Sequence, residues 1–169
     1  MTIKFVGMRI AMLSMVAATI GTSALASPGS GISSTILGTG DLNEAVNYNH
    51  DRIKIQTKDP TDVRVQELVF APGARTGWHH HPGIVIVTIA SGSVTAFDHN
   101  CQTKTYGPGS PNGSVFVEGH DTPMEVRSAG GATLYATYVA PNATPRVFRI
   151  EDDAINCSAA LEFIEVPRK

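Results

Sequence analysis

A chain of 169 residues, 42% apolar and 17% charged, has room for one domain with a sizeable core and falls outside the disordered class. Its formal net charge of −2, with no Arg-rich or Lys-rich run, argues against nucleic acid as a partner.

The N-terminus reads as a targeting segment. Lys4 and Arg9 flank a positive start, Ile10 to Ile20 is apolar apart from Ser14 and Thr19, and Ala24-Leu25-Ala26 is a small-x-small cleavage pattern. This predicts a signal peptide over residues 1–26, cut after Ala26, and a secreted or periplasmic protein. The other reading is a membrane anchor, for which the apolar run is short against the ~20 residues of a span. No other stretch is apolar enough to span, so no membrane contact is expected after cleavage. Losing Lys4 and Arg9 takes the net charge from −2 to about −4.

Residues 27–50 are predicted as a flexible lead-in, because Ser27 to Gly40 is rich in Gly, Ser and Thr. Asp41 to His50 reads as a loop or short helical turn. Arg52 to Thr57 alternates as a half-exposed strand, and Asp59-Pro60-Thr61-Asp62 is turn chemistry. Val63 to Phe70 is a strand whose apolar phase slips near Glu67, which predicts a bulge. Ala71-Pro72-Gly73 then turns the chain into Trp78-His79-His80-His81, ended by Pro82-Gly83. Side chains on a strand alternate, so His79 and His81 share one face and His80 takes the other. Two imidazoles on one buried face are a common start for a transition-metal site, and the alternative is two polar residues near a strand end.

Ile84 to Ala90 is apolar at nearly every position and is expected to be buried on both faces. Ser91-Gly92-Ser93 is predicted as a tight hairpin turn into the strand Val94 to Phe97. Asp98 to Thr103 is polar and carries Cys101; Thr105 to Gly113 reads as turns, Ser114 to Val117 as a strand and Glu118 to Pro123 as a loop. Met124 to Arg127 and Ala132 to Val139 are strands around Ala129-Gly130-Gly131, with Glu125 expected to point out to solvent. Glu151 to Glu162 is a candidate helix. Many short strands, frequent turns and little helical periodicity predict an all-β sandwich or barrel over residues 51–145, with residues 146–169 as a C-terminal extension. Cys101 and Cys157 form an even pair in an exported chain, which favours a disulfide; two free thiols acting as metal ligands are the alternative.

Gly73, five residues, His79-His80-His81, three residues, Val85, six residues and Gly92 resembles the first motif of the cupin family. The one departure is Val85, where the family has glutamate. A second family motif can be registered from Gly113, with Gly119 at its proline, Asp121 at its glycine, Met124 at its third histidine and Ser128 at its asparagine. The resemblance covers about residues 63–141. It implies a single-domain jelly-roll β-barrel holding one divalent metal (Fe, Mn, Cu, Zn or Ni) through His79 and His81. His120 is the candidate third ligand and Met124 a soft alternative. Glu118 and His120 are the candidate general bases, and Glu118 is also a candidate oxygen ligand. Trp78, Val85, Phe97 and Met124 are candidate pocket residues, with plain core packing the competing role for Trp78, Phe97 and Met124.

Oxygenases, isomerases, decarboxylases and lyases share that barrel. The resemblance therefore implies a small-molecule ligand and either a metal-dependent oxidoreductase of dioxygenase type or a lyase or isomerase. A binding module that has lost its metal is the alternative, and a homodimer is implied by family habit alone.

Overall fold

The computed structural model describes residues 28–119 and 121–157. The expected signal peptide, His120 and residues 158–169 lie outside the described residues. The described chain is all β: Ser30–Leu42 (β1), Asn47–His50 (β2), Ile53–Gln56 (β3), Thr61–Arg75 (β4), His79–His80 (β5), Ile84–Gly92 (β6), Val94–Asp98 (β7), Thr103–Tyr106 (β8), Val115–Glu118 (β9), Met124–Ser128 (β10), Ala132–Pro141 (β11) and Ile150–Glu151 (β12). Ten of these form one sheet in the order β12-β5-β10-β4-β11-β6-β9, with β1 on β4, and β7 joining β10 to β8. Every pairing is antiparallel. The sheet curls into a nearly closed barrel, the all-β architecture that the motif resemblance implies.

Strand β4 is the spine. It pairs with β1 along one edge and with β11 along the other, and its far end meets β10. Its register with β11 runs without a break from Thr61↔Pro141 to Phe70↔Ala132. The β4–β11 ladder therefore has no bulge near Glu67, and the register shifts lie in the β1–β4 pairing, between Ser30 and Ile32 and between Ile36 and Gly38. The apparent slip has another cause. The even residues of β4 face inward throughout, but they change from Asp62, Arg64 and Gln66 at one end to Leu68 and Phe70 at the other. The inner face is polar where it lines the mouth of the barrel, so the apolar pattern seems to change sides.

The core cluster joins Phe70, Val85, Val87, Phe116, Leu134 and Ala136 from four strands, each at alternate inward positions. Strand β6 alternates strictly: Val85, Val87 and Ile89 are buried, while Ile84 and Ile86 are 44% and 39% exposed. Its outer face is thus open, against the expectation of burial on both sides. Nor do β6 and β7 form a hairpin, since β6 pairs with β11 and β9 while β7 pairs with β10 and β8. Gly92 (φ 73°) turns the chain from one part of the sheet to another. A Cβ there would sit 2.1 Å from the Gly131 carbonyl oxygen, so only glycine allows the crossing.

The predicted lead-in is ordered strand. Residues 30–42 pair along nearly the whole of β4, so backbone bonding organises a stretch whose own composition is flexible. Residues 47–56 form a separate two-stranded hairpin, β2–β3, rather than a loop followed by a barrel strand. All four residues of β3 are exposed, with Ile53 and Ile55 on one face at 68% and 58%. The described part of the predicted helix is also extended. Ile150 and Glu151 pair with His80 and His79, and the Asp152 N–H donates to the Trp78 carbonyl at 3.0 Å, which commits those backbone groups to the barrel.

A second, smaller core lies outside the barrel wall, where Trp78, Phe97 and Cys157 pack with Cys101 and Ile155. Cys101 and Cys157 form a disulfide. It ties the C-terminal segment to the β7–β8 turn and fits an oxidising compartment. Glu125 does point away from the barrel interior, but this second core covers it, so it is 1% exposed rather than solvated. It is held by Arg127, whose Nε donates to Oε2 at 2.9 Å and whose guanidinium lies over the Phe97 ring.

Candidate metal centre

The alternation of strand β5 divides the histidines as its sequence predicts. His79 and His81 face the barrel interior and are 2% and 3% exposed. Trp78 and His80 face outward, where His80 Nδ1 meets the Asp152 carboxylate at 2.9 Å. Each inward ring is oriented by a backbone carbonyl. His79 Nδ1–H donates to Gly77 at 2.9 Å, and His81 Nδ1–H donates to Phe148 at 2.6 Å. With Nδ1–H committed in this way, the neutral form of each ring has its lone pair on Nε2, the tautomer a metal ligand needs.

Glu118 completes the cluster. Its Oε2 lies 2.6 Å from His81 Nε2 and 3.9 Å from His79 Nε2. All three side chains are buried, and one ligand atom from each lies within 4.8 Å of the others. Val85 on β6, which stands where the resembled motif has glutamate, is the register partner of Glu118 on β9, so the two side chains share the inward face. Sequence spacing could not favour Glu118 over its neighbours, because a ladder partner has no fixed separation along the chain.

Buried His81 Nε2 has no hydrogen-bond partner. A lone pair facing a carboxylate oxygen at 2.6 Å is repulsive unless a proton or cation lies between them. Two imidazole nitrogens and one carboxylate oxygen suit a divalent transition ion, so the residues present fit the expected metal. Burial pushes the His79 pKa down to about 4, offset in part by the negative charge of Glu118. The ring is therefore neutral and free to coordinate at neutral pH. Burial, followed by the charge of Glu118, pushes Tyr138 up to about 12, so its phenol keeps its proton. The Tyr138 ring lies edge-on to His81 with centroids 5.5 Å apart.

The cluster opens on a cavity of about 700 Å³, within the usual size range of small-molecule sites. Val85 lines it. Trp78, Phe97 and Met124 do not. Trp78 is out of phase with His79 and, with Phe97, belongs to the outer core. Met124 is the ladder partner of His79 and packs against the main core. Tyr138, Phe148 and three arginines, Arg64, Arg146 and Arg149, also line the cavity. None of these carried a motif signal, and only the polar phase of β4 pointed toward Arg64.

No protein-family model and no curated protein matches the chain. Solved structures do. A cupin-like protein from Thermotoga maritima shares 17% identity over 59% of this chain and 71% of its own, with a TM-score of 0.47. A DMSP lyase structure shares 15% over 54% of this chain and 44% of its own, at 0.44. Salicylate 1,2-dioxygenase from Pseudoaminobacter salicylatoxidans, solved with gentisate, shares 16% over 44% of this chain, at 0.39. This chain spans 19% of that dioxygenase.

Proposed function

We propose that this cupin-type barrel is an exported, metal-dependent protein that binds a divalent transition metal and acts on a small organic ligand by oxygenase-type chemistry. The metal would be held by His79, His81 and Glu118. The observation that carries this reading is the convergence of three buried side chains, His79, His81 and Glu118, each offering a ligand atom within 4.8 Å of the others. A divalent ion on two histidines and one carboxylate, with positions left open, supplies Lewis-acid polarisation or dioxygen activation when bound.

The chain's own residues prepare that chemistry. The Gly77 and Phe148 carbonyls hold the two rings in their ligating tautomer. Tyr138, beside His81 in the cavity lining, keeps its phenolic proton and would serve as a hydrogen-bond donor to the ligand. Val85, Val87 and Leu134 give the cavity apolar walls that limit water near the reacting atoms. Glu118, taken up as a ligand, leaves His120 as the proposed general base. Export is supported by the signal-like N-terminal sequence together with the disulfide.

The test is elemental analysis of the mature protein purified without a histidine tag. The expected result is one metal ion per chain, lost in the His79→Ala/His81→Ala double variant. No metal in either protein, with no change in melting temperature on adding divalent ions, would overturn the reading and leave a ligand-binding barrel.

A further inference from the structure

Arg64 on β4 and Arg146 and Arg149 on the C-terminal segment all line the cavity. Two of them are already engaged. Arg146 pairs with Asp62 at 3.0 Å and with Asp41. Arg149 pairs with Glu151 at 2.5 Å and donates to the Thr76 carbonyl at 2.6 Å. Arg64 meets no carboxylate among the described residues. Its Nε is buried with no hydrogen-bond partner, and its guanidinium carbon lies 4.1 Å from the centroid of the Phe148 ring. A guanidinium fixed on an aromatic face, with a donor left over inside a cavity, lacks an acceptor. Its neighbours on the flanking strands, Thr39 and Tyr138, carry no negative charge at neutral pH.

We propose that the ligand of this cavity is an apolar carboxylic acid and that Arg64 receives its carboxylate. The proposal rests on the cavity being the ligand site described above. The planar fork of a guanidinium matches a carboxylate in two parallel hydrogen bonds, and the Phe148 ring beneath fixes its plane. One unpaired cation suits a single negative charge better than a dianion such as phosphate. From Arg64 inward the same strand face presents Gln66, then Leu68 and Phe70, so a ligand anchored at its acid end lays its body against apolar wall. Tyr138 is the ladder partner of Arg64 and touches His81, which puts the anchored acid one side chain away from the donor cluster.

The experiment is calorimetric titration of the purified full-length mature protein with benzoate, benzamide and inorganic phosphate, with metal content measured on each sample. The wild type is expected to bind benzoate at least about tenfold more tightly than benzamide, the difference a charge-assisted pair makes. Arg64→Gln should weaken benzoate by about tenfold to a hundredfold and leave benzamide unchanged. Arg64→Lys, which keeps the charge and loses the fork, should fall between, and serves if the Gln variant does not fold. Absence of benzoate binding, equal binding of benzoate and benzamide, phosphate binding as tightly as benzoate, or unchanged selectivity in both variants would each overturn the proposal. A wild type that carries no metal as purified, does not gain melting temperature from divalent ions and still selects benzoate through Arg64 would overturn the metal reading and uphold this one.

Discussion

Exchanging Val85 and Glu118 tests where the third ligand comes from. The two residues face each other across the β6–β9 ladder, are 1% and 5% exposed, and both line the cavity. Glu118→Val removes the oxygen 2.6 Å from His81 Nε2 and leaves two imidazoles, fewer than a firm divalent site uses. Loss of a supporting partner alone weakens metal sites by about 10-fold to 100-fold, so loss of a direct ligand should cost at least about a hundredfold. With free metal at about 100 times the wild-type Kd, binding stabilises the wild type by about 2.7 kcal/mol and the variant by only about 0.4 kcal/mol. At roughly 4 °C per kcal/mol for a domain of this size, the metal-induced rise in Tm should fall from about 10 °C to about 2 °C. In metal-free protein the order should reverse, with Glu118→Val at least as stable as wild type, because a buried carboxylate no longer faces a lone pair. The double variant Val85→Glu/Glu118→Val returns the acid to the facing position and should recover part of the shift. Differential scanning calorimetry of chelator-treated protein, with and without zinc or manganese, reads all of these. A full wild-type shift in Glu118→Val would refute the reasoning.

Three further outcomes follow from the fold and the site. Opening the Cys101–Cys157 bridge, which closes a separation of 56 residues, should cost about 4 kcal/mol in the chain-entropy account; urea unfolding of the Cys101→Ser/Cys157→Ser variant measures it, and a loss under about 1 kcal/mol would count against a structural role. In metal-free protein, His79 is held neutral, with a pKa of about 4 against 6.5 for the ordinary side chain. The unfolded chain therefore takes up the extra proton between those values. Stability should be full above pH 6.5 and fall by about 3 kcal/mol as the pH drops to 4, and His79→Gln should remove most of that slope in denaturant melts. Gly92→Ala would push a methyl group against the Gly131 carbonyl at a positive φ, and thermal melts should show about 3 kcal/mol of destabilisation.

The all-β class was legible because period-two patterning and closely spaced turns are local properties, while the choice of a barrel over a sandwich came from the motif resemblance around His79 and His81. The inward turn of His79 and His81 was legible from the same period-two patterning. Glu118 was legible only as one candidate among several, because it reaches His79 and His81 through strand pairing, whereas alternation already turned Glu125 away from the interior, and it lies on the far side of the wall under the Trp78 and Phe97 core. Strand β1 was hidden because its Gly, Ser and Thr residues carry no apolar stripe, and what orders them is the edge of β4. The exposed outer face of β6 was misread because a run of Ile and Val looks identical whether one face is buried or both. The slip on β4 was seen but given the wrong cause, since an inner face that becomes charged imitates a change of register.

The short stretch from Phe148 to Asp152 reaches back to each histidine of the triplet. Phe148 accepts from His81, Ile150 and Glu151 are laddered to His80 and His79, and Asp152 grips the outward-facing imidazole of His80. A chain still emerging from the ribosome, or one clipped before residue 148, has every donor atom of the cluster and nothing to aim the ring of His81. Docking of residues 148–152 is therefore the folding step that orients the rings of His80 and His81.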